Sequence, residues 1–310
     1  MLNIVQSVIA VGIIILIGWL GRRLGVLPDD TSNVLTDVVY WFLAPAMLFS
    51  TIMGADLHEA IGQPFLVAII AGLSTAIFFF ATAWLIFRPK LPDLTMGAMG
   101  AALNNAAMIG IPISTYVLGN GIHSVPIMLF QLGFLTPTFF VCADLLAADS
   151  KPTFKLVTKS VVTNPMLILA ALGFLVSWFQ IPLPGLVTIP VELVAEAGSA
   201  VVLIAFGASI YGKRLKLSNR TGYMALYSTF GKVVIQPLIA LGVAYCLGMR
   251  GESMMAVVVM AALPTANNAF VIATRAKVDP KGTQETILLT TACSLPMVIF
   301  ITWIFHQFLL

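Results

Sequence analysis

The sequence is poor in charge. Of its 310 residues, 9% are Asp, Glu, Lys or Arg, whereas 59% are hydrophobic, and the mean hydropathy is +1.01. Soluble proteins carry about 25% charged residues, so this chain has too little polar surface to cover a water-soluble globule. At about 20 apolar residues per spanning helix, it has room for about ten membrane helices and none for a separate soluble domain. The net charge of +3 gives no reason to expect a nucleic-acid partner.

The patterns of known catalytic and metal sites are also missing. The sequence contains no His-Glu-x-x-His, no Gly-x-Ser-x-Gly and no Walker loop. Its three cysteines, Cys142, Cys246 and Cys293, lie in apolar segments without the spacing of a disulfide or a metal site. We therefore expect no enzymatic activity and no cofactor. Without a nucleotide site, transport would be driven by an ion gradient or by the gradient of the substrate itself.

The apolar runs are continuous and longer than the alternating strands of a membrane barrel, so they predict an all-α polytopic membrane protein. We expect ten transmembrane helices, called spans 1 to 10, at residues 3–21, 33–53, 63–87, 94–118, 124–146, 161–179, 191–211, 223–247, 254–274 and 284–308. If the N-terminus is outside, the cytoplasmic connections hold 14 of the 16 Lys and Arg residues. This agrees with the positive-inside rule and predicts that both termini lie outside.

The chain divides into two halves that resemble each other. Residues 1–148 form the first five-helix repeat, 149–160 a polar cytoplasmic linker, and 161–310 the second repeat. Because five is an odd number, the second repeat enters the membrane from the opposite side, which is typical of transporters with a site near the midplane. The matched positions are Gly18 with Gly173, Asp37 with Glu196, the Asn pair of span 4 with that of span 9, and Pro137 with Pro296.

Spans 4 and 9 each contain an Asn pair beside helix-breaking residues. The polar and breaking positions are Asn104, Asn105, Gly110 and Pro112 in span 4, and Pro264, Thr265, Asn267 and Asn268 in span 9. Non-helical backbone at membrane depth is tolerated where it is buried in protein or lines a wet cavity. We therefore predict that both helices are interrupted and cross. A freed N–H end suits an anion, and a carbonyl end suits a cation or a proton donor. In the alternative interpretation, these residues only kink and join packed helices.

Four further polar residues within spans are candidates for function. Lys232 could attract a substrate carboxylate or pair with an acid, or its side chain could snorkel to the surface. Asp37 and Glu196 are candidate proton carriers for coupling, or they are interfacial. Gln131 is a candidate for coupling or for lining the cavity, or it is an ordinary interhelical hydrogen-bonding residue.

Three stretches resemble the auxin efflux carrier family, whose bacterial members include malate and malonate permeases: Phe42–Phe49, the Asn-rich Gly-Ile-Pro segment of span 4, and Leu263–Phe270. The resemblance implies a fold similar to that of bile acid–sodium symporters, in which a transport unit of spans 3–5 and 8–10 moves against a scaffold of spans 1, 2, 6 and 7. It also implies organic-anion substrates and homodimers. The long central loop of the plant carriers is absent, which favours a prokaryotic carrier in the bacterial inner membrane.

The leading hypothesis is a secondary transporter of a small organic anion, a mono- or dicarboxylate such as malate or malonate, or an auxin-like acid, that works by elevator-type alternating access. The coupling ion would be a proton, or sodium bound near Asn105 and Asn268, since Asn oxygens are hard ligands. The alternatives are a sodium-coupled bile-acid-like symporter and a sodium–proton exchanger. An exchanger would need acidic side chains at the crossing, where this sequence has Asn. Outside transport, the alternative is a membrane ligand sensor. The substrate-site prediction comprises Asn104, Asn105, Gly110, Pro112, Pro264, Thr265, Asn267, Asn268 and Lys232.

Overall fold

The computed structural model describes residues 2–54, 61–119, 121–148, 158, 162–212 and 219–308. These residues form helices and short connections, with one isolated bridge and no β-strand among them. The helices are α1 (Leu2–Arg23), α2 (Thr31–Met53), α3 (Gln63–Phe87), α4 (Leu91–Ala102), α5 (106–116), α6 (Gly121–Ala147), α7 (Pro165–Trp178), α8 (Gly185–Ile210), α9 (Arg220–Cys246), α10 (Gly251–Ala261), α11 (Asn268–Arg275) and α12 (Lys281–Phe308).

Among the described residues, six helices are long and apolar enough to cross a membrane, namely α2, α3, α6, α8, α9 and α12, and α7 and α10 are shorter apolar helices. The prediction of an all-helical membrane protein is thus confirmed. The linker predicted at 149–160 lies outside the described residues except for position 158. Six of the basic residues used to predict the topology also lie outside them: Lys151, Lys155, Lys159, Lys213, Arg214 and Lys216.

Wide π-helical turns occur where a proline follows. The turns are Val39–Leu43 in α2, Ala106–Gly110 in α5, Gln131–Leu135 in α6 and Gly231–Ile235 in α9. In each case a proline comes two residues after the turn ends (Pro45, Pro112, Pro137 and Pro237). A proline has no N–H, and its ring crowds the carbonyl one turn earlier, so the preceding turn widens. Three of these turns hold buried polar residues that are used below: Tyr40, Gln131 and Lys232.

The helices pack as two groups. The first helix group consists of α1, α2, α7 and α8, and its most extensive contacts are α1 with α8, α2 with α7 and α2 with α8. The backbones of α1 and α8 touch at two glycines. A Cβ atom on Gly18 would lie 2.2 Å from the carbonyl oxygen of Ile204, and one on Gly207 would lie 1.9 Å from that of Ile15. Small residues of this kind let membrane helices approach closely.

The second helix group consists of α3–α6 and α9–α12, in which α3 contacts α4, α6 and α9, and α9 contacts α10 and α12. Every residue of Met254–Ala261 in α10 is buried, and so is Ala269–Ala273 in α11. These two short helices therefore lie inside the protein. Apolar side chains fill the contact between the groups, as where the rings of Phe206 in α8 and Phe270 in α11 meet edge to face at 5.8 Å.

Candidate functional site

Two helix breaks meet in the middle of the second group. The chain leaves the α4 helix at Leu103 and the α10 helix at Ala262. The two broken stretches then pair in antiparallel fashion: the N–H of Asn105 donates to the carbonyl oxygen of Pro264 at 2.8 Å, and the N–H of Ala266 donates to that of Leu103 at 3.2 Å. Both predicted interruptions are therefore present, and their unpaired backbone groups satisfy one another.

The pairing places Asn104 opposite Thr265. Matching the two Asn pairs would instead set Asn104 against Asn267. The repeat match therefore relates Asn104 to a residue two positions beyond its partner in the bridge. The two Asn pairs do not face each other directly across the bridge. The first pair is part of the bridge, whereas the second pair lies beyond it at the start of α11.

The side chain of Asn104 is fully engaged in holding the crossing together. Its Nδ2 donates to the carbonyl oxygens of Met260 (2.9 Å) and Ala261 (3.3 Å), the last two residues of α10. Its Oδ1 accepts from Nε2 of Gln131 (3.0 Å) and from Nε2 of Gln236 (3.1 Å). Asn104 is 3% exposed, so this residue, predicted to bind substrate, acts here as a cap for the neighbouring helix.

Thr265 caps the end of α4 in the way that Asn104 caps α10. Its hydroxyl donates to the carbonyl oxygen of Gly100 at 2.6 Å, and its N–H donates to Oγ1 of Thr290 in α12 at 3.1 Å. The carbonyl oxygen of Ala102 accepts more distant bonds from Gln131 (3.3 Å) and Gln236 (3.4 Å). The carbonyl ends of both broken helices are therefore occupied by side chains.

The opposite ends of the breaks border a cavity of about 40 Å³ between the two helix groups. The helices that follow the breaks, α5 and α11, begin here with positive partial charge, and neither Asn105 nor Asn267 caps its own helix with its side chain. The lining residues are Met47, Asn104, Asn105, Ala106, Leu132, Thr136, Val202, Ala266, Asn267 and Asn268. The cavity thus faces two helix N-termini, an arrangement that favours an anion.

Three side chains at this cavity have hydrogen-bonding capacity to spare. Asn105, Asn268 and Thr136 make no side-chain hydrogen bond to any described residue, although Asn105 and Thr136 are only 6% and 3% exposed. Thr136 was not predicted. A threonine inside a helix usually bonds the carbonyl four residues earlier, and only the fold reveals that this one does not.

The other predicted residues of the crossing have structural positions. The N–H of Gly110 donates to the carbonyl oxygen of Asn105 at 3.0 Å, and a Cβ atom on Gly110 would lie 3.0 Å from Cδ1 of Leu263, so the glycine permits close packing of the two breaks. Pro112 lies in the first turn of Ile111–Tyr116. Pro264 contributes its carbonyl to the bridge. Neither Gly110 nor Pro264 is among the residues that line the cavity.

Lys232 lies behind the crossing. Its side chain is completely buried, which excludes snorkelling to the surface, and its Nζ donates to Oε1 of Gln236 at 2.6 Å. Gln236 in turn bonds Asn104, so the Lys232 amino group is connected to the crossing through one glutamine. No acidic side chain in the described ranges forms a salt bridge with it. Lys232 is a buried amine that is connected to the crossing through Gln236, and it is not among the residues that line the cavity.

A family model described as a membrane transport protein matches residues 3–143 and 145–302. The chain belongs to this family. It is the auxin efflux carrier-like family of membrane transport proteins, so the resemblance found in the sequence is confirmed. The match, together with the apolar helices, makes the chain an integral membrane protein with a transport function.

Named relatives extend over nearly the whole chain. A protein of Methanothermobacter thermautotrophicus named "Uncharacterized transporter" is 26% identical over 94% of this chain and 94% of its own length. A Rhizobium meliloti protein named "Putative malonate transporter" is 24% identical over 92% and 90%. The "Uncharacterized transporter YfdV" of Escherichia coli is 21% identical over 85% of both chains.

In this membrane transport protein, the two predicted acidic coupling residues lie away from the crossing. The side chains of Asp37 in α2 and Glu196 in α8 are exposed, and neither residue lines the cavity. Both belong to the first helix group. Gln131, the third coupling candidate, is 1% exposed and bonds both the N–H and Oδ1 of Asn104. Of these three residues, the structure brings only Gln131 into the crossing.

Proposed function

We propose that this protein is a secondary transporter of a small organic anion, a mono- or dicarboxylate, which binds at the crossing of the two broken helices. The observation that carries the proposal is the asymmetry of the crossing. Side chains cap the carbonyl ends of α4 and α10, whereas the N-termini of α5 and α11 border the cavity. Partial positive charges from two helices converge on one place, and Asn105, Asn268 and Thr136 supply hydrogen bonds to a carboxylate.

The proposed architecture is ten spans in two inverted repeats. The six long helices, α1, α7 and the broken pairs α4–α5 and α10–α11 supply the ten spans. The hydrogen bonds at the crossing support the inverted relation. Gln131 in α6 accepts from the N–H of Asn104, and Thr290 in α12 accepts from the N–H of Thr265, both at 3.1 Å. These two acceptors are 159 residues apart, the same separation as the matched pair Pro137 and Pro296.

Elevator-type movement is the proposed mechanism. The first helix group would be the scaffold, and the second, which holds both breaks, would carry the substrate across. The cavity lies where the groups meet, because Met47 and Val202 of the first group close it. At about 40 Å³ it has room for about three water molecules. A dicarboxylate therefore needs the two groups to separate, and this requirement couples binding to movement.

The remaining details of the proposal follow from the topology and the family. The protein would lie in the bacterial inner membrane, in contact with lipid, with both termini outside. It would form homodimers. Its substrate class is compatible with the name of the Rhizobium meliloti relative. The coupling ion would be a proton, or sodium bound by the oxygens of Asn105 and Asn268. Lys232 would contribute attraction for the anion from behind the crossing.

Uptake of labelled malonate, malate, acetate and indole-3-acetate into proteoliposomes containing the purified protein tests the proposal. We expect saturable uptake of at least one of these acids, and a loss of tenfold or more in kcat/KM for Asn105→Ala and Asn268→Ala. Asn33→Ala, which changes an exposed asparagine of α2, is the matched control and should transport normally. Wild-type rates in both cavity variants would remove the site assignment. Binding of a carboxylate without flux would favour a membrane ligand sensor.

A further inference from the structure

A cluster of polar contacts joins the two helix groups at one end of the molecule. Three of the side-chain hydrogen bonds between described residues cross from one group to the other. Two are made by Asp144 of α6, and the third joins Nε2 of Gln284 in α12 to Oγ of Ser209 in α8 at 2.6 Å. All lie at the end where α6, α8 and α11 finish and where α7 and α12 begin. The positive-inside rule assigns this end to the cytoplasm.

Asp144 uses one carboxylate oxygen for each group. Its Oδ1 accepts from Nε of Arg275, which lies at the end of α11 in the same group, at 2.9 Å. Its Oδ2 accepts from the hydroxyl of Tyr40 in α2 at 2.8 Å and from Nδ2 of Asn164, just before α7, at 3.3 Å. Tyr40 and Asn164 both belong to the first group. The carboxylate is thus the central residue of a four-membered network, the Asp144 latch, formed by Tyr40, Asp144, Asn164 and Arg275.

Burial, a cation–π contact and capping hydrogen bonds hold the latch residues in place on both sides. Tyr40 and Asn164 are each 1% exposed. The guanidinium of Arg275 lies over the ring of Tyr40 at 4.2 Å, a cation–π distance. Asn164 cannot turn away easily, because its Oδ1 caps α7 by accepting from the N–H groups of Met166 and Leu167. Hydrogen bonds to an ionised carboxylate are stronger than neutral ones.

Both charged residues of the Asp144 latch belong to the second helix group, which suits a contact that opens and closes between the groups. Arg275 and Asp144 belong to the same group and form the one salt bridge, among the described residues, that joins two helices; the other connects Arg22 and Asp29 near the end of α1. When the groups separate, the ion pair can move as a neutral unit. Only the neutral partners Tyr40 and Asn164 are left behind. Opening therefore leaves no buried charge without its partner. An unpaired buried charge would cost a large amount of free energy.

We propose that the Asp144 latch locks the two helix groups together at the cytoplasmic end and that it must open in each transport cycle. This inference rests on the proposed elevator movement. It makes Asp144 a positioning residue that acts on access to the site and not on the substrate. Weakening the latch shifts the population toward arrangements in which the cavity is open to the cytoplasm.

Sided cysteine labelling tests the latch without any substrate. The background replaces Cys142, Cys246 and Cys293 by Ala and introduces Met47→Cys at the wall of the cavity. Membrane-impermeant maleimide is then added to inside-out or right-side-out vesicles, and the labelling rate is compared. The test variants are Tyr40→Phe, which loses one bond to Asp144, and Asn164→Ser, which keeps an oxygen to cap α7 but loses the Nδ2 donor.

The matched control is Tyr227→Phe, since the Tyr227 hydroxyl donates to Oγ1 of Thr82 at 2.8 Å entirely within the second group. We expect both test variants to raise cytoplasmic-side labelling at least fivefold and to leave labelling from the other side equal or lower, with no change in the control. Unchanged labelling in folded Tyr40→Phe protein, judged by size-exclusion chromatography, would overturn the latch. An equal increase from both sides, which indicates general loosening, would overturn it as well. Neither result depends on whether a carboxylate is transported.

Discussion

Asn104 and Thr265 face each other in a single antiparallel bridge, and each caps the helix that ends at the other's break. The amide of Asn104 donates to the last carbonyls of α10, and the hydroxyl of Thr265 donates to the carbonyl of Gly100 near the end of α4. Each helix end therefore receives a capping hydrogen bond from the other break. This exchange explains how two stretches of open backbone persist inside a membrane protein, where unsatisfied polar groups are costly.

We predict that Thr265→Val, which preserves shape but removes the hydroxyl, lowers the apparent melting temperature in detergent by several degrees. A buried carbonyl left without its partner costs about 1–3 kcal/mol. Thr302→Val is the control, because the Thr302 hydroxyl also donates to a carbonyl, that of Val298, but on α12 away from the crossing. Equal melting temperatures for the two variants would contradict the capping role. Asn104→Ala should be more damaging, since it removes four side-chain hydrogen bonds.

The positions of the two breaks could be predicted from the sequence, because Asn, Gly and Pro all disfavour a helix interior and occur together in both apolar runs. Their register could not. It depends on which backbone groups find partners on other helices, and those partners, Gln131 and Thr290, belong to α6 and α12. Sequence similarity matched Asn with Asn, whereas the hydrogen bonds match Asn104 with Thr265.

The sequence also could not predict the different roles of the neighbouring residues Asn104 and Asn105. Asn104 and Asn105 are chemically the same, yet one is fully bonded and the other borders the cavity without a side-chain partner. The difference arises because Gln131 and Gln236, 27 and 132 residues away, reach only the first of them. Lys232 allowed two interpretations, surface or interior, and the packing of α9 selects the interior.

Thr136 offers a sharp test of the cavity. Its hydroxyl has no partner among the described residues, whereas that of Thr138, two residues further along the same helix, donates to the carbonyl of Phe134 and is exposed. We expect Thr136→Val to raise KM for the transported acid about fivefold to tenfold, the equivalent of one hydrogen bond of about 1–1.4 kcal/mol. Thr138→Val should be indistinguishable from wild type in the same uptake assay. An unchanged KM for Thr136→Val would exclude the hydroxyl from the site.

The contact of α1 with α8 predicts opposite effects for two glycine substitutions on α1. Gly18→Ala would place a methyl group 2.2 Å from the Ile204 carbonyl oxygen and push the helices apart, and overpacking of this kind costs about 1–3 kcal/mol. Gly12→Ala meets no atom within 4 Å, so it should be neutral or slightly stabilising because alanine favours a helix. Thermal unfolding in detergent would measure both variants. A stable Gly18→Ala protein would contradict the close approach of the two backbones.

The capped carbonyls bear on the coupling ion. Carbonyl oxygens freed where a membrane helix unwinds are common ligands for sodium. Here those of Gly100, Met260 and Ala261 already accept side-chain hydrogen bonds. We therefore expect carboxylate uptake to persist when choline replaces sodium and to respond to an imposed pH gradient. A steep dependence on sodium that weakens in Asn268→Ala would contradict this expectation and assign the ion to the asparagine oxygens.

Lys232 donates to Gln236, which bonds Asn104, so replacing this buried amine by an uncharged side chain tests whether it attracts the substrate by charge. A protonated Lys232 about 10 Å from a bound anion, at an effective dielectric constant of about 20, would contribute about 1.7 kcal/mol, and a dianion would gain twice as much as a monoanion. We therefore expect Lys232→Met to raise KM for a dicarboxylate about twentyfold more than for a monocarboxylate, with little change in kcat. Lys90→Met, at an exposed lysine, should leave both constants unchanged. If Lys232→Met affected mono- and dicarboxylates equally, the lysine would serve to hold Gln236 against Asn104 and would not attract the anion.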